Sequence, residues 1–392
     1  MTKDKKCLLS ISVLMQFIFA FFSLFFGVFV YEISQNLNIV ISYKLTGAVF
    51  YYLVLLLLYK KINGKVISAL YKLSFLMSIV TILLVFTISN DRIFMVFVTQ
   101  LFFELTCLFY YMPHEVATMF NNEKSQMRKF MGLSSALNLI GATLAPFLSG
   151  FIINYSTYSI LFSCLIVIAG ICFVLSFGLH IVNVNQTRCG LLKFAKIAHQ
   201  ERGVRLSYLS YFFYKFSVDG CVELFLPLLI YFKTGTNFSI GIYSAIANLF
   251  AGVILIIYCH FNKDKRFADW LSVIVQILVS LMIIFFGGAV VYFIYYFLRT
   301  IFDKIITNDT VSSVFSMHHN TAIGEYQLEH FYVYNFYHHI AIILSGIIGL
   351  IVYNLLNNII SISILLAVFS MMQIISTYLL HKSERLLIGN KN

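Results

Sequence analysis

The feature that most constrains this chain is a series of apolar runs, each about 20 residues long, the length of a helix that crosses a membrane. Hydrophobic residues make up 60% of the 392 positions and charged residues only 11%, whereas a soluble domain has about half apolar and a quarter charged residues. Transmembrane strands would give alternating segments of about 10 residues, which the sequence lacks. The sequence therefore predicts an all-α protein whose solvent is the lipid bilayer.

Twelve runs qualify as spans. They cover 8–33, 39–59, 67–88, 92–117, 130–154, 157–182, 206–232, 238–259, 268–286, 289–315, 331–353 and 359–380. We expect the first run to be retained as a helix, because it exceeds the apolar core of about 7–15 residues found in a secretory signal. The seven cysteines are an odd number that falls largely in apolar runs, and no disulfide framework is predicted.

The basic residues of the loops predict the orientation. Only Arg92 and Lys233 fall in loops on one side, and the remaining loops and tails on the other side are rich in Lys and Arg. Under the positive-inside rule this distribution places both termini in the cytoplasm. The net charge of +11 is then a signal of topology, and no nucleic-acid partner is expected.

An offset of 199 residues relates the two halves of the chain. It carries Asn38, Tyr59 and Asn63 onto Asn237, Tyr258 and Asn262, and Glu104 onto Asp303. Six spans in each half keep both halves in the same orientation, so the repeats would be parallel. The predicted division is a six-helix bundle at 1–182, a cytoplasmic linker at 183–205 and a second six-helix bundle at 206–392. Chance similarity between two apolar halves is the alternative.

The predicted fifth span carries small residues and a proline at fixed spacing: Gly132, Gly141, Pro146 and Gly150. This pattern resembles the antiporter signature of the major facilitator superfamily, with alanine before the proline and serine before the last glycine where glycines are usual. The resemblance implies the twelve-helix major facilitator fold of two parallel six-helix repeats, and a transporter that exports its substrate in exchange for protons. Ordinary packing of small residues between membrane helices is the alternative explanation.

Ionisable residues inside the spans concentrate on spans 4, 7 and 10. Each costs about 2.5–3.5 kcal/mol to insert at the bilayer centre, so such residues commonly face a polar interior. In the resembling fold these three helices line the central cavity. The candidate proton-coupling and substrate-binding residues are Glu104, Asp219, Glu223, Asp303, Lys215, Arg299 and Gln100. The resemblance places Gln100 where the family often has an arginine.

The spacing of these residues suggests how they would work. Lys215, Asp219 and Glu223 would form one stripe on a continuous helix, with Lys215 paired to Asp219. The repeat would place Glu104 and Asp303 at equal depth, facing each other across the cavity. Carboxylates held close together away from water can take up protons near neutral pH. Static ion pairs between helices are the alternative.

Five of the ten histidines lie between His318 and His339. Neighbours such as His338 and His339 point about 100° apart on a helix, and no HxxxH or CxxC spacing appears. The sequence therefore favours a polar cluster over a metal site. No cofactor is expected, and a proton gradient would supply the driving force.

The favoured function is proton-coupled export of a small amphipathic or cationic organic compound, with the 41 Phe and 25 Tyr residues supplying apolar and cation–π contacts. Two alternatives are an uptake symporter or facilitator for a nutrient, and a non-transporting immunity or sensory protein on a transporter scaffold. No nucleotide-binding loop or catalytic triad pattern appears, so an enzyme is not expected. We expect a monomer in a bacterial cell membrane, and the fold leaves the substrate open.

Overall fold

The computed structural model describes residues 3–120, 124–179, 189–219, 221–261, 265–286, 288–320, 326–356 and 359–389. Within these ranges the chain consists of helices and short turns, without strands, which confirms the all-α prediction for this part of the chain. The α-helices are α1 (Lys3–Ala20), α2 (Phe26–Ser34), α3 (Leu37–Leu58), α4 (Gly64–Val85), α5 (Phe94–Phe120), α6 (Lys124–Tyr155), α7 (Tyr158–Ser176), α8 (Leu191–Gln200), α9 (Arg202–Val218), α10 (Cys221–Thr234), α11 (Asn237–Phe261), α12 (Lys265–Phe285), α13 (Ala289–Asn320), α14 (Gln327–Leu356) and α15 (Ile359–Gly389). A π-helical segment, Phe21–Phe25, lies between α1 and α2.

Among the described residues, 10 helical segments are long and apolar enough to cross a membrane. The chain is therefore a multi-pass membrane protein. The predicted seventh and tenth spans are not among the 10. The seventh is divided between α9 and α10, and the tenth corresponds to α13, which carries several charged residues. The count of twelve spans stays a prediction.

Short polar side chains define the starts of three helices. Asn36, Asn63 and Thr157 stand just before α3, α4 and α7, and each accepts a hydrogen bond from a backbone amide in the first turn, at 2.9 to 3.4 Å. These caps satisfy amide groups that have no partner within the helix. They fix the helix boundaries in chain segments that are otherwise almost wholly apolar.

The described helices form two compact units, which the contacts between helices define. Unit 1 comprises Met1–Asn185 and Pro227–Leu249, and unit 2 comprises Gln186–Leu226 and Phe250–Asn392. In unit 1, α5 packs against α3 and α4, and α7 packs against α1 and α4. In unit 2, α15 packs against α9 and α12, and α9 also packs against α13 and α14.

The predicted linker lies partly outside the described residues. Residues 183–188 fall in a gap between two described ranges, and α8 begins three residues later at Leu191. The predicted boundaries at 182 and 206 therefore stay predictions.

The predicted seventh span is interrupted at Asp219. The backbone of Asp219 is extended, with φ −86° and ψ −172°, although its amide still donates to the carbonyl of Lys215 at 3.0 Å. Asp and Gly, which occupy 219 and 220 in the sequence, are poor residues for a helix interior. The prediction of one continuous helix carrying Lys215, Asp219 and Glu223 on a single stripe is therefore wrong, since Glu223 belongs to α10.

Candidate functional site

The centre of the candidate site in unit 2 is the carboxylate of Asp219. Its Oδ2 lies 2.8 Å from Nζ of Lys215, four residues earlier on α9, and 2.6 Å from Nε2 of His338 on α14. The three side chains are only 16 to 23% exposed. Hydrogen bonds to an ionised carboxylate are shorter and stronger than neutral ones. The extended backbone at the end of α9 thus presents one acid to two nitrogen groups from different helices.

Tyrosine rings surround the lysine of this cluster. Nζ of Lys215 lies 5.6 Å from the ring centroids of both Tyr211 and Tyr214, within the range of a cation–π interaction. Tyr211 in turn packs against Tyr334 of α14, with ring centroids 4.4 Å apart. An ammonium group in this position is therefore held by one carboxylate and by the faces of two aromatic rings.

Tyr214 connects this cluster to Asp303 on α13. Its hydroxyl donates to Oδ1 of Asp303 at 3.4 Å and is hydrogen-bonded to the hydroxyl of Thr307. Both Asp219 and Asp303 are close enough to Tyr214 to interact with it electrostatically. The structure therefore brings Lys215, Asp219 and Asp303 into one neighbourhood within unit 2.

Arg299 is almost fully buried and ties three helices together. One guanidinium nitrogen donates to the hydroxyls of Tyr295 at 2.7 Å and Ser370 at 3.2 Å, and the other donates to the carbonyl of Ser217 at 2.8 Å. In an uninterrupted helix that carbonyl would bond to the amide four residues later. Because α9 ends at Val218, Arg299 satisfies the carbonyl instead. Its observed contacts stabilise the break beside Asp219, a role that the sequence did not reveal.

Glu223 and His338 extend the set of charged groups. Glu223, on α10, is close enough to His338 to interact with it electrostatically. His338 belongs to the predicted histidine cluster but had no assigned role. His318 and His319 lie in α13 where side chains are not described. A contact between distant helices gives no local sequence signal, so only the richness in histidine pointed to His338.

The candidate residues of unit 1 lie on α5. Nε2 of Gln100 donates to Oε1 of Glu104 at 2.7 Å, one helical turn away. Gly47 of α3 lies directly against this pair, because a Cβ there would come within 2.8 Å of both side chains. Glu104 and Asp303 belong to different units, so their predicted position across one cavity stays a prediction.

A second polar group in unit 1 joins the starts of two helices to α2. Glu32 accepts hydrogen bonds from the hydroxyl of Tyr158 and from Nδ2 of Asn237, both at 3.1 Å. The same Nδ2 lies 3.1 Å from the hydroxyl of Tyr158. These residues come from α2, α7 and α11, which are far apart in the sequence, and spacing alone could not have predicted the group.

The small residues of the antiporter-like pattern bring α6 close to α11. A Cβ on Gly241 of α11 would lie 2.6 Å from the carbonyl oxygen of Pro146, and a Cβ on Gly150 would lie 3.1 Å from the Cα of Gly241. Gly141 packs instead against α1, where a Cβ would lie 3.0 Å from Gln16. Gly132 lies in α6, outside the residues whose surroundings are described.

The proline of this pattern has a specific partner. Pro146 has no amide hydrogen, so the carbonyl of Ala142, four residues earlier, loses its helical hydrogen bond. Nδ2 of Asn248 on α11 donates to this carbonyl at 3.0 Å. The proline therefore creates an acceptor on α6 that an amide side chain of α11 satisfies.

Among the described residues, no group of three or more His, Cys, Asp and Glu side chains is arranged to hold a metal ion. The described site is thus a set of hydrogen-bonding and ion-pairing groups.

Neither a protein-family model nor a curated protein matches this sequence. Solved structures do match. The nucleoside transporter NupG has a TM-score of 0.69 at 12% identity, covering 98% of this chain and 100% of that one. A POT family transporter in complex with 5-aminolevulinic acid has a TM-score of 0.71 at 10% identity, covering 97% of this chain and 96% of that one.

The human organic anion transporter MFSD10 (TETRAN) has a TM-score of 0.68 at 13% identity, covering 96% of this chain and 99% of that one. At such low identity the likeness shows the fold alone. The chain has the fold that these transporters share, in agreement with the predicted major facilitator type of fold. Membership of the major facilitator superfamily and of its efflux group both stay predictions, because the likeness extends only to the fold.

Proposed function

We propose that this protein is a secondary active transporter that exports a small amphipathic or cationic organic compound in exchange for protons by alternating access. The observation that carries the proposal is the cluster of Lys215, Asp219 and His338. It combines a partly buried carboxylate with a histidine, the side chain whose unperturbed pKa lies closest to neutrality. No metal, cofactor or catalytic step is part of the proposal.

The exchange follows from the charges of the cluster. With His338 neutral, Lys215 and Asp219 balance each other, and a substrate cation can approach the carboxylate and the tyrosine rings. A proton on His338 adds a positive charge beside Asp219 and repels that cation. Proton and cation therefore compete for one site, which is the condition for antiport. Glu223 and Asp303 would adjust the local charge, and Gln100 would orient Glu104 within unit 1.

The proposed architecture has twelve spans in two parallel six-helix repeats. The positions at which helices begin support this architecture. The helices α3 and α4 begin at Leu37 and Gly64, and about 200 residues later α11 and α12 begin at Asn237 and Lys265. We further propose that both termini are cytoplasmic and that the protein works as a monomer in the bacterial cell membrane. Basic loops support this orientation.

A second candidate is uptake of a nutrient by symport or facilitated diffusion. The structural neighbours include a nucleoside transporter and a POT family transporter holding 5-aminolevulinic acid, which makes compounds of these kinds candidate substrates. The same cluster could bind a proton together with a substrate that carries its own carboxylate.

Export is supported by the resemblance to the antiporter signature, whose residues Pro146 and Gly150 lie in close contact with α11.

Proton release upon ligand binding tests the proposed site. Purified protein in weakly buffered detergent solution, near pH 7, is titrated with tetraphenylphosphonium, an amphipathic cation. We expect binding to release protons in the wild type, and to release fewer protons in His338→Gln. Binding without any release of protons in the wild type would refute competition at this site.

A further inference from the structure

A line of buried polar side chains runs between α12 and α15, away from the cluster around Asp219. On α12 the polar residues are Asp269, Gln276 and Ser280, and on α15 they are Ser370, Gln373, Thr377 and His381. Their spacing of three, four or seven residues keeps each set on one face of its helix. The two faces meet, and we call the interface between them the α12–α15 seam.

Hydrogen bonds close both ends of the seam. At one end, Oδ2 of Asp269 lies 2.7 Å from Nε2 of His381, and at the other end the hydroxyls of Ser280 and Ser370 are 2.8 Å apart. The two pairs are each separated by eleven residues on antiparallel helices, about 16 Å at 1.5 Å per residue. This register places Gln276 within one residue of the position opposite Gln373.

The middle of the seam contains polar atoms that no protein group satisfies. Both amide atoms of Gln276 and both of Gln373 are buried without a hydrogen-bond partner, and so are Oγ1 of Thr377 and Oδ1 of Asp269. Gln276, Gln373 and Thr377 are 0% exposed. Buried polar groups in native proteins nearly always have a partner, and where protein supplies none, ordered water does. Membrane bundles likewise tolerate polar groups at depth where water reaches them.

We propose that ordered water molecules fill the α12–α15 seam and form a proton route from the Asp269–His381 pair to the Arg299 end of the bundle. This rests on the proposed function, because it supplies the route by which protons reach the coupling site. A proton taken up by His381 passes to the adjacent water, moves along the water molecules that Gln276, Gln373 and Thr377 hold, and leaves from the last water beside Ser370.

One end of the route lies beside the helix break at Asp219, and the other lies among further titratable groups. Ser370 accepts a hydrogen bond from Arg299, which also donates to Ser217, two residues before Asp219. At the other end, the acids Asp309 of α13 and Glu384 of α15 lie near enough to interact with Asp269. Trp270 of α12 packs edge-on against His381, with centroids 6.2 Å apart. The pair sits near the start of α12, on the side that the basic loops place in the cytoplasm.

Radiolytic hydroxyl labelling with mass spectrometry tests the water directly, because a bound water produces label on side chains that bulk solvent does not reach. We expect His381 and the buried Val273 to be labelled in the intact wild-type protein, while buried Ile82 of α4 serves as the unlabelled reference. Labelling should fall several-fold in the double variant Gln276→Leu/Gln373→Leu and return in Gln276→Asn/Gln373→Asn. Absence of label on both residues in the wild type would mean a dry seam, with the two glutamines bonded to each other.

Transport assays in vesicles test the proton route with the same variants, using radiolabelled tetraphenylphosphonium. The leucine double variant should slow transport driven by a pH gradient about tenfold, while counterflow, which moves no net protons, stays near the wild-type rate. The proposed proton route would be overturned if the leucine double variant slowed gradient-driven transport and counterflow equally, or slowed neither of them. If wild-type vesicles move no protons, the proposed function and the route both fail, and the labelling alone decides whether the seam holds water.

Discussion

Asp219 is the residue on which the local charge balance depends. Its carboxylate compensates the partly buried ammonium of Lys215, and the same oxygen contacts His338. Arg299 holds the open end of α9 next to it through the carbonyl of Ser217. The position of Asp219 is thus determined by a helix break, and the groups around it come from α9, α13 and α14.

Replacing Asp219 tests this balance. In Asp219→Asn the ammonium of Lys215 loses the carboxylate that it is paired with, and breaking one partner of a largely buried ion pair costs up to about 3–5 kcal/mol. We expect a lower unfolding temperature in detergent and loss of proton-driven transport. The double variant Lys215→Met/Asp219→Asn should recover most of the stability without recovering transport. If both variants unfold like the wild type, the pair contributes nothing to the fold.

The adjacent histidines provide a matched comparison. His338 contacts Asp219, whereas Nδ1 of His339 lies 2.8 Å from the carbonyl of Asn335 on its own helix. We expect His338→Gln to reduce transport driven by a pH gradient at least tenfold while counterflow persists. His339→Gln should change both assays less than threefold. An identical response of the two variants would show that contact with Asp219 is not what matters.

At the scale of the helices, the packing of α6 against α11 is the contact that the antiporter-like pattern builds. Small residues allow close approach, and a proline supplies an acceptor that Asn248 satisfies. In a membrane, where lipid offers no alternative hydrogen bonds, this combination of packing and a single polar contact holds helices together.

Adding a methyl group to α11 tests the packing. In Gly241→Ala the Cβ would lie 2.6 Å from the carbonyl of Pro146, so backbone has to move. Overpacking of this kind costs about 1–3 kcal/mol, measurable as lower thermal stability. Gly170→Ala on α7 is the control, because nothing lies within 4 Å of its Cβ; there a gain of about 0.5–1 kcal/mol is expected. Equal effects would contradict close packing at Gly241.

A double-mutant cycle tests the link between Asn248 and Pro146. Asn248→Ala should destabilise the wild type by about 1 kcal/mol, because the carbonyl of Ala142 loses its partner. In a Pro146→Ala background the same change should cost little, since an amide at position 146 can then bond to that carbonyl within the helix. The coupling energy is the readout. Strictly additive effects would mean that Asn248 does not act on this carbonyl.

The all-helical character and the pairing of Lys215 with Asp219 were predictable, and the contacts between distant helices were not. Lys215 and Asp219 are four residues apart, so helical spacing alone places them together. His338 reaches Asp219 from 119 residues away, and Asn248 reaches Ala142 from 106 residues away. Such contacts depend on how helices pack, which residue spacing does not encode.

The break at Asp219 was signalled in the sequence by Asp followed by Gly, two residues that disfavour a helix interior. The long apolar run around them suggested a single span instead. Hydropathy registers the length of such a run but not a change of backbone direction within it. The structure shows that this break is what presents Asp219 to α14.

For the whole molecule, the described part of the chain is a multi-pass helical membrane protein with the fold of known transporters. Within each unit, polar side chains are gathered at a few places, and apolar residues cover the remaining helix surfaces. Under the proposed function, these places are where a solute or a proton would bind. The fold leaves the solute open, because one architecture serves many substrates.

The most direct test of the central claim is flux in vesicles containing the purified protein, with an imposed pH gradient and a dye that reports internal pH. The panel is tetraphenylphosphonium, uridine, dialanine and p-aminohippurate. We predict that tetraphenylphosphonium accumulates only in vesicles that are acidic inside, that the lumen becomes more alkaline as it enters, and that Lys215→Met/Asp219→Asn abolishes both signals. Movement of neither protons nor any panel compound, by protein shown to be folded, would contradict the account.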